Sequence, residues 1–251
     1  MIKIKKIKVL KDNYIWIIVN KKKLVIIIDP GESELLISYL KEKKYFPVAV
    51  FLTHKHLDHT AGVLDLLKKF PKLTIYGPKE INNLKFINYV EENKEINLFD
   101  RKWKVIHTPG HTIGHISYYS DPFLFCGDVL FSGGCGKVDD KNYLFLFNSI
   151  KKISFLPGET LIYSSHEYTV KNLKFSHSLL KNDKKINFYY KKIKKYNKKT
   201  FCSLPTKLKF EKKINIFLRT EEKKIKNSIN LPFSSSSFEC FTKLRILKDY
   251  F

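Results

Sequence analysis

The stretch LTHKHLDHTAG, residues 52–62, carries three of the chain's eight histidines and an aspartate, spaced H-x-H-x-D-H from His54 to His59. Imidazole nitrogens and carboxylate oxygens are ligands for borderline divalent ions such as zinc, iron and manganese. A solvated loop gives no reason for that regular spacing, so the pattern reads as a metal site. Three more candidates stand at breaks after apolar runs: His111 after TPG, Asp128 after FLFCG and His166 after LIYSS. With His54, His56, Asp58 and His59 they make seven ligands, five histidines and two aspartates. One tetrahedral ion does not need seven, whereas two ions sharing a bridging carboxylate would use them.

The surrounding elements must present these side chains at strand ends, where α/β-type sheets tend to place their sites. KIKVL, NYIWIIV and KLVIIIDPG predict three early strands, and SELLISYLKEKKY predicts a helix capped by Ser33, with Leu35, Leu36, Tyr39 and Leu40 on one face. VAVFLTH predicts a buried strand running into the cluster, which would send His54 and His56 out on the same side. TAGVLDLLKKFP reads as one helix, LTIYGP as a strand, and KWKVIHTPGHTIGHISYYS as two strands broken at Pro109-Gly110. FLFCGDVLF reads as a single strand, NYLFLFNSIKKISFLPG as a helix, and TLIYSSHEYT as a strand closing on His166. From about Tyr168 the spacing becomes helical, and the lysine-rich stretch 181–199 reads as a solvated helix face. The expectation is an α+β chain with a catalytic domain over residues 1–167 and a small helical domain over 168–251.

Composition narrows the function classes. The formal net charge is +23, but only three residues, Arg101, Arg219 and Arg245, are arginine. Nucleic-acid recognition leans on the planar guanidinium, so no nucleic-acid partner is expected; codon bias towards Lys, Ile, Asn, Phe and Tyr explains the charge as well as function does. A basic surface would still attract an anionic small substrate. No apolar run approaches the roughly eighteen residues of a membrane span, and the basic start alternates like a strand rather than a signal peptide. Cys126, Cys135, Cys202 and Cys240 form no C-x-x-C pair and read as reduced cytoplasmic thiols. No G-x-S-x-G elbow or base-flanked cysteine offers a nucleophile.

The residues Thr53-His54-Lys55-His56-Leu57-Asp58-His59 resemble the metal motif of the metallo-β-lactamase superfamily. More narrowly, DNYIW, IDPGE, HTPGHTIGHISYY, GDVLFSGGCGK, HEYTVKNLKF and the ending LRILKDYF resemble the glyoxalase II (hydroxyacylglutathione hydrolase) family along nearly the whole chain. The resemblance implies an αββα sandwich followed by a helical region. It assigns His54, His56 and His111 to one ion, Asp58, His59 and His166 to a second, and Asp128 to the bridge. The ions would be Zn2+, with Fe or Mn as family alternatives. It also implies that Lys137, Tyr168, Arg245 and Lys248 hold glutathione, whose two carboxylates an arginine fork and lysine charges can pair. The activity implied is hydrolysis of S-D-lactoylglutathione to D-lactate and glutathione by a metal-bridged hydroxide, with Asp58 and Asp128 in catalytic roles. The missing targeting signals make the cytoplasm the expected location, and a monomer is expected.

Some readings compete. An RNA-processing nuclease or a mononuclear iron persulfide dioxygenase shares the fold, but the HEYTVKNLKF and C-terminal Arg/Lys signature and the full ligand set count against both. A non-catalytic basic binding protein should have lost some ligands. The alternative for Arg245 is a solvated helix charge. Asp29 is expected beside a ligand or as a turn residue, His115 near the site but packed, and His107 and His177 outside it. Val138 and Asp139 depart from the family pattern and would alter the glutathione groove.

Overall fold

The computed structural model describes residues 1–82, 84, 86–138, 142–195 and 202–251. Among these, two six-stranded sheets lie face to face. The first runs in spatial order β1 (Lys3–Val9), β2 (Asn13–Val19), β3 (Leu24–Ile28), β4 (Phe46–Phe51), β5 (Thr74–Gly77) and β6 (Ile87–Tyr89). Its first two pairings are antiparallel and the rest parallel. The second sheet contains β7 (Glu95–Leu98), β8 (Arg101–His107), β9 (Ile116–Ser120), β10 (Phe123–Gly127), β13 (Leu161–Ser164) and β14 (Thr206–Lys207), where only β10 and β13 pair in parallel. A hairpin of β11 (Leu130–Phe131) and β12 (Gly134–Cys135) stands apart.

Side-chain alternation explains the layers. In β2, Tyr14, Trp16 and Ile18 point between the sheets, while Ile15 and Ile17 point outward. The inner layer adds Ile26, Ile28 and Phe51 from the first sheet, and Trp103, Val105, Tyr118 and Phe125 from the second. Phe51 stacks on Tyr118 at 4.5 Å between ring centroids, and burying one such ring contributes about 1.5–3 kcal/mol. On the outer face of the first sheet lie Leu36 and Leu40 of α1 (Glu34–Lys43), and Val63 and Leu66 of α3 (Val63–Lys69).

The outer face of the second sheet is covered by α4 (Tyr143–Ser154) and by the C-terminal helices, with Leu146, Ile150, Leu173, Phe175, Phe217, Phe241 and Leu244 in one cluster with Ile106, Leu124 and Ile162. This is the αββα sandwich that the resemblance implies, followed by a helical region. That region comprises α5 (Thr169–Leu179), α6 (Lys184–Lys194), α7 (Leu208–Ile214), a 3-10 turn (Ile216–Leu218), α8 (Lys223–Ser228) and α9 (Ser237–Asp249). It packs on the sandwich through a shared core.

The structure corrects several local expectations. The strand FLFCGDVLF breaks after Gly127, whose positive φ of 48° turns the chain so that Asp128 leaves the sheet. The helix expected from residue 60 is α3, and a one-turn helix, α2 (Leu57–Thr60), precedes it, so Asp58 and His59 sit on a turn of their own. β4 stops at Phe51, and His54 and His56 therefore lie beyond it in a loop. Thr206–Lys207 gives the otherwise helical region a strand paired with β13. In α6, Ile186, Tyr189 and Ile193 are buried, while Lys184, Lys185, Lys191, Lys192 and Lys194 are exposed, as a solvated helix face requires; residues 196–199 of that stretch lie outside the described residues.

Candidate metal centre

Both sheets hold the loops that carry the cluster. From the second sheet, Tyr118 Oη donates to the Leu52 carbonyl (2.9 Å) and Ile116 N donates to that of Thr53 (2.9 Å), fixing the chain just before His54. From the first, Trp16 Nε1 donates to the Ser164 carbonyl (2.9 Å) and Tyr14 N to that of Ser165 (2.7 Å), fixing the chain just before His166. Gly127 fits because a side chain there would press on Thr53 Oγ1 and His115 Nε2.

The seven residues converge. His56 Nδ1 lies 3.1 Å from both His54 Nε2 and His111 Nε2. Three nitrogens each about 2.0–2.1 Å from one tetrahedral ion would stand roughly 3.3 Å apart, so this spacing fits a shared cation. Asp58 Oδ2 lies 3.6 Å from His59 Nε2 and 3.4 Å from His166 Nε2. Asp128 Oδ2 faces both groups, at 3.5 Å from His111 Nε2, 3.8 Å from His59 Nε2 and 3.3 Å from His166 Nε2. His59 Nε2 and Asp128 Oδ1 are buried with no hydrogen-bond partner. Orphaned atoms of this kind carry a penalty that a bound ion would relieve.

The outer contacts decide which nitrogen carries each lone pair. His111 Nδ1 donates to the Lys137 carbonyl (3.0 Å), which can only accept. His59 Nδ1 donates to Asp29 Oδ2 (3.1 Å), and His166 Nδ1 to Asp12 Oδ1 (3.0 Å). Thr53 Oγ1 spends its hydrogen on Asp29 Oδ2 (2.8 Å), so it accepts from His54 Nδ1 (2.9 Å). In all four, Nδ1 is engaged outside the cluster, so Nε2 is the nitrogen left facing it for an ion. Asp29 thus lies beside a ligand and not in a plain turn; it also accepts from Thr53 N and Ser165 Oγ.

Electrostatics follow from burial and neighbours. Burial pushes the fully buried His54 far below the usual histidine range, and the other histidines add to this. Burial opposes charge on His59 and His166 too, but Asp128 and the neighbouring carboxylates raise both. Asp128 is buried, yet His166 and His59 hold its carboxyl well below the usual range. Asp58 is lowered by its hydrogen bond to His166, against the cost of burial.

Of the four residues expected to hold the substrate, Tyr168 and Lys137 touch the centre directly. The Tyr168 ring stacks on His166, with centroids 4.8 Å apart and planes at 8°. Lys137 has an exposed side chain, and its carbonyl holds His111. Arg245 is only 4% exposed, which removes the solvated alternative: its guanidinium donates to the carbonyls of Cys135 (3.1 Å) and Gly136 (3.3 Å). Lys248 Nζ donates to Asn172 Oδ1. Val138 is partly buried against the core of the helical region, and Asp139 lies outside the described residues.

His115 is buried and accepts from Asp128 N (3.2 Å), which positions a ligand without being one. His107 bonds the Ile113 carbonyl, and His177 bonds Asn187 across α5 and α6, both away from the centre. Sequence reasoning gave no site role to Asp12 and Asn13, although both stand in DNYIW. Asn13 Nδ2 donates to Asp58 Oδ2 (2.9 Å). The available signal was a polar residue opening the otherwise apolar and aromatic run NYIWIIV.

The chain is similar to known proteins along nearly its whole length. The sequence model of the Metallo-beta-lactamase superfamily matches residues 11–166, and that of the Hydroxyacylglutathione hydrolase C-terminus matches residues 167–251. The hydroxyacylglutathione hydrolase of Buchnera aphidicola subsp. Acyrthosiphon pisum is 47% identical over 247 residues, covering 98% of each chain. The crystal structure of ETHE1 from Myxococcus xanthus superposes with a TM-score of 0.68 at 22% identity, over 97% of this chain and 90% of that one, a likeness of fold. TTHA1623 in a di-iron-bound form has a TM-score of 0.56 at 26% identity, over 65% of this chain and 92% of that one. With both regions matched in order and a near-full-length relative at that identity, the chain belongs to the hydroxyacylglutathione hydrolase family of the metallo-β-lactamase superfamily.

Proposed function

We propose that this chain hydrolyses S-D-lactoylglutathione to glutathione and D-lactate. The observation that carries the reading is the full-length family match, whose C-terminal part, residues 167–251, separates it from other enzymes built on the sandwich alone. His54, His56 and His111 would hold one divalent ion, Asp58, His59 and His166 a second, and Asp128 would touch both. Zinc suits the histidine-rich donor set; the di-iron form of TTHA1623 keeps iron as an alternative. Ions bound there would lower the pKa of water from about 16 to about 7 and polarise the thioester carbonyl.

The chain's own residues orient the reaction. Asp58 has the most open carboxylate of the cluster, with its side chain 40% exposed, and Asn13 fixes it. It is placed to align the attacking water. Asp128 holds the two groups of ligands in register. The departing thiol has a pKa of roughly 8.5–9, so the thiolate leaves without a strong acid nearby.

Residues 1–167 form the catalytic domain in this reading, and 168–251 the glutathione-binding domain. Lys137, Tyr168 and Lys248 border the substrate, with Arg245 shaping the loop before Lys137. A monomer in a reducing cytoplasm suits a glutathione thioester and the four free cysteines. Among the described residues, no helix is long and apolar enough to cross a membrane.

The test is loss of thioester absorbance on mixing the protein with S-D-lactoylglutathione, with and without zinc, iron or manganese. Hydrolysis that depends on metal and stops with chelator is expected. A folded, metal-loaded sample that leaves the thioester intact would refute the reading.

A further inference from the structure

The three-histidine group draws its members from loops on different sheets, His54 and His56 beyond β4 and His111 between β8 and β9. One carboxylate joins the tips of those loops. Glu80 Oε1 accepts from Lys55 N (3.2 Å) and Thr112 Oγ1 (2.6 Å), and Glu80 Oε2 accepts from Gly114 N (2.9 Å). Lys55 stands between His54 and His56, and Thr112 follows His111 directly. Gly114 makes the approach possible, because a Cβ there would come within 2.8 Å of three Glu80 side-chain carbons.

We propose that Glu80 is a positioning residue for the three-histidine group, holding His56 against His111 so that their nitrogens meet before any ion arrives. The inference rests on the metal-binding reading above and goes beyond it by assigning a residue remote from the ligand set. Preorganisation of this kind raises metal affinity because the ion need not gather the loops itself. A glutamine cannot substitute. Whichever way its amide is turned, the NH2 faces Lys55 N–H or Gly114 N–H, and one backbone donor loses its acceptor.

The test is a Zn2+ titration of metal-free protein against a chromophoric chelator, with no substrate present, on wild type, Glu80→Gln and Glu91→Gln. Glu91 is a neighbouring carboxylate, paired with Lys79 at 3.6 Å, so its variant removes the same charge nearby while leaving the clamp in place. Glu80→Gln is expected to weaken one Zn2+ by about ten- to a hundredfold, with the other ion held as in wild type. Glu91→Gln should match wild type.

Two readouts separate positioning from general damage. The near-UV circular dichroism of the metal-free Glu80→Gln protein should keep its wild-type form, and with ions at saturation kcat should fall while KM holds. Wild-type affinities in Glu80→Gln, an equal loss in Glu91→Gln, or the joint loss of both ions would each overturn the proposal. Because the titration contains no thioester, failure of wild type to hydrolyse S-D-lactoylglutathione would sink the activity and leave the role of Glu80 standing.

Discussion

Arg245 and His111 grip the same short stretch of backbone. Arg245 Nη1 donates to the carbonyls of Cys135 and Gly136, and His111 Nδ1 donates to that of the next residue, Lys137. The guanidinium also pairs with Asp249 at 3.0 Å and lies 5.5 Å from the Phe217 ring centroid. The last helix and a candidate metal ligand are therefore linked through three consecutive carbonyls.

Arg245→Ala should accordingly do more than raise KM. Leaving buried carbonyls without donors costs about 1–3 kcal/mol, and each kcal/mol lowers Tm by about 2–4 °C in a chain of this size. Lysine should restore little, since a point charge cannot reach both carbonyls and Asp249. Calorimetry beside steady-state kinetics checks this. A variant that melts like wild type with only KM raised would show that the guanidinium serves the substrate alone.

Asp128→Asn keeps the shape of the side chain but removes the charge facing His59, His111 and His166. Metal content should drop and kcat/KM should fall by more than about a hundredfold, the upper end for groups that merely support ligands. Elemental analysis and turnover decide it; two retained ions at normal activity would refute the bridging role.

Metal uptake should release protons. His59 and His166 are held protonated above their usual range by surrounding carboxylates when no ion is bound. An ion must displace those protons, and doing so becomes easier as pH rises, by about tenfold in affinity per proton per pH unit. Zn2+ affinity should therefore increase from pH 6 to 8. Calorimetric titrations in buffers of different ionisation heat count the protons, and an identical heat in every buffer would contradict the linkage.

Lys248 supplies a second pH signature. Burial, helped by the charge of Arg245, pushes its amine down to about 7. Below that value the ammonium can pair with a carboxylate of glutathione; above it the neutral amine cannot. KM should rise between pH 6 and 8.5 in wild type, and should be high and flat over that range in Lys248→Met. A flat wild-type KM would remove Lys248 from substrate binding.

The residues that converge on the candidate centre were legible in the sequence because they stand at punctuated ends of apolar runs, as in FLFCG before Asp128. Local pattern misled where tertiary contacts overrode it. Apolar residues on both sides of Gly127 let FLFCGDVLF read as one strand although a glycine stands at the turn, and Asp58 and His59 form a one-turn helix ahead of α3. Glu80 lay in an ordinary polar turn, with nothing nearby to mark it.

By itself, the sequence determined the alternating strands, the helical texture after Tyr168 and the chemical identity of the seven candidate ligands, since these depend on residue type and short-range period. Only the tertiary structure decided which ring nitrogen faces inward, that Asp128 lies between the two groups, and that Arg245 turns to backbone carbonyls. Those choices are made by hydrogen-bond partners distant in sequence, such as Asp12 for His166 and Asp29 for His59, and no local spacing encodes a partner that arrives from another sheet.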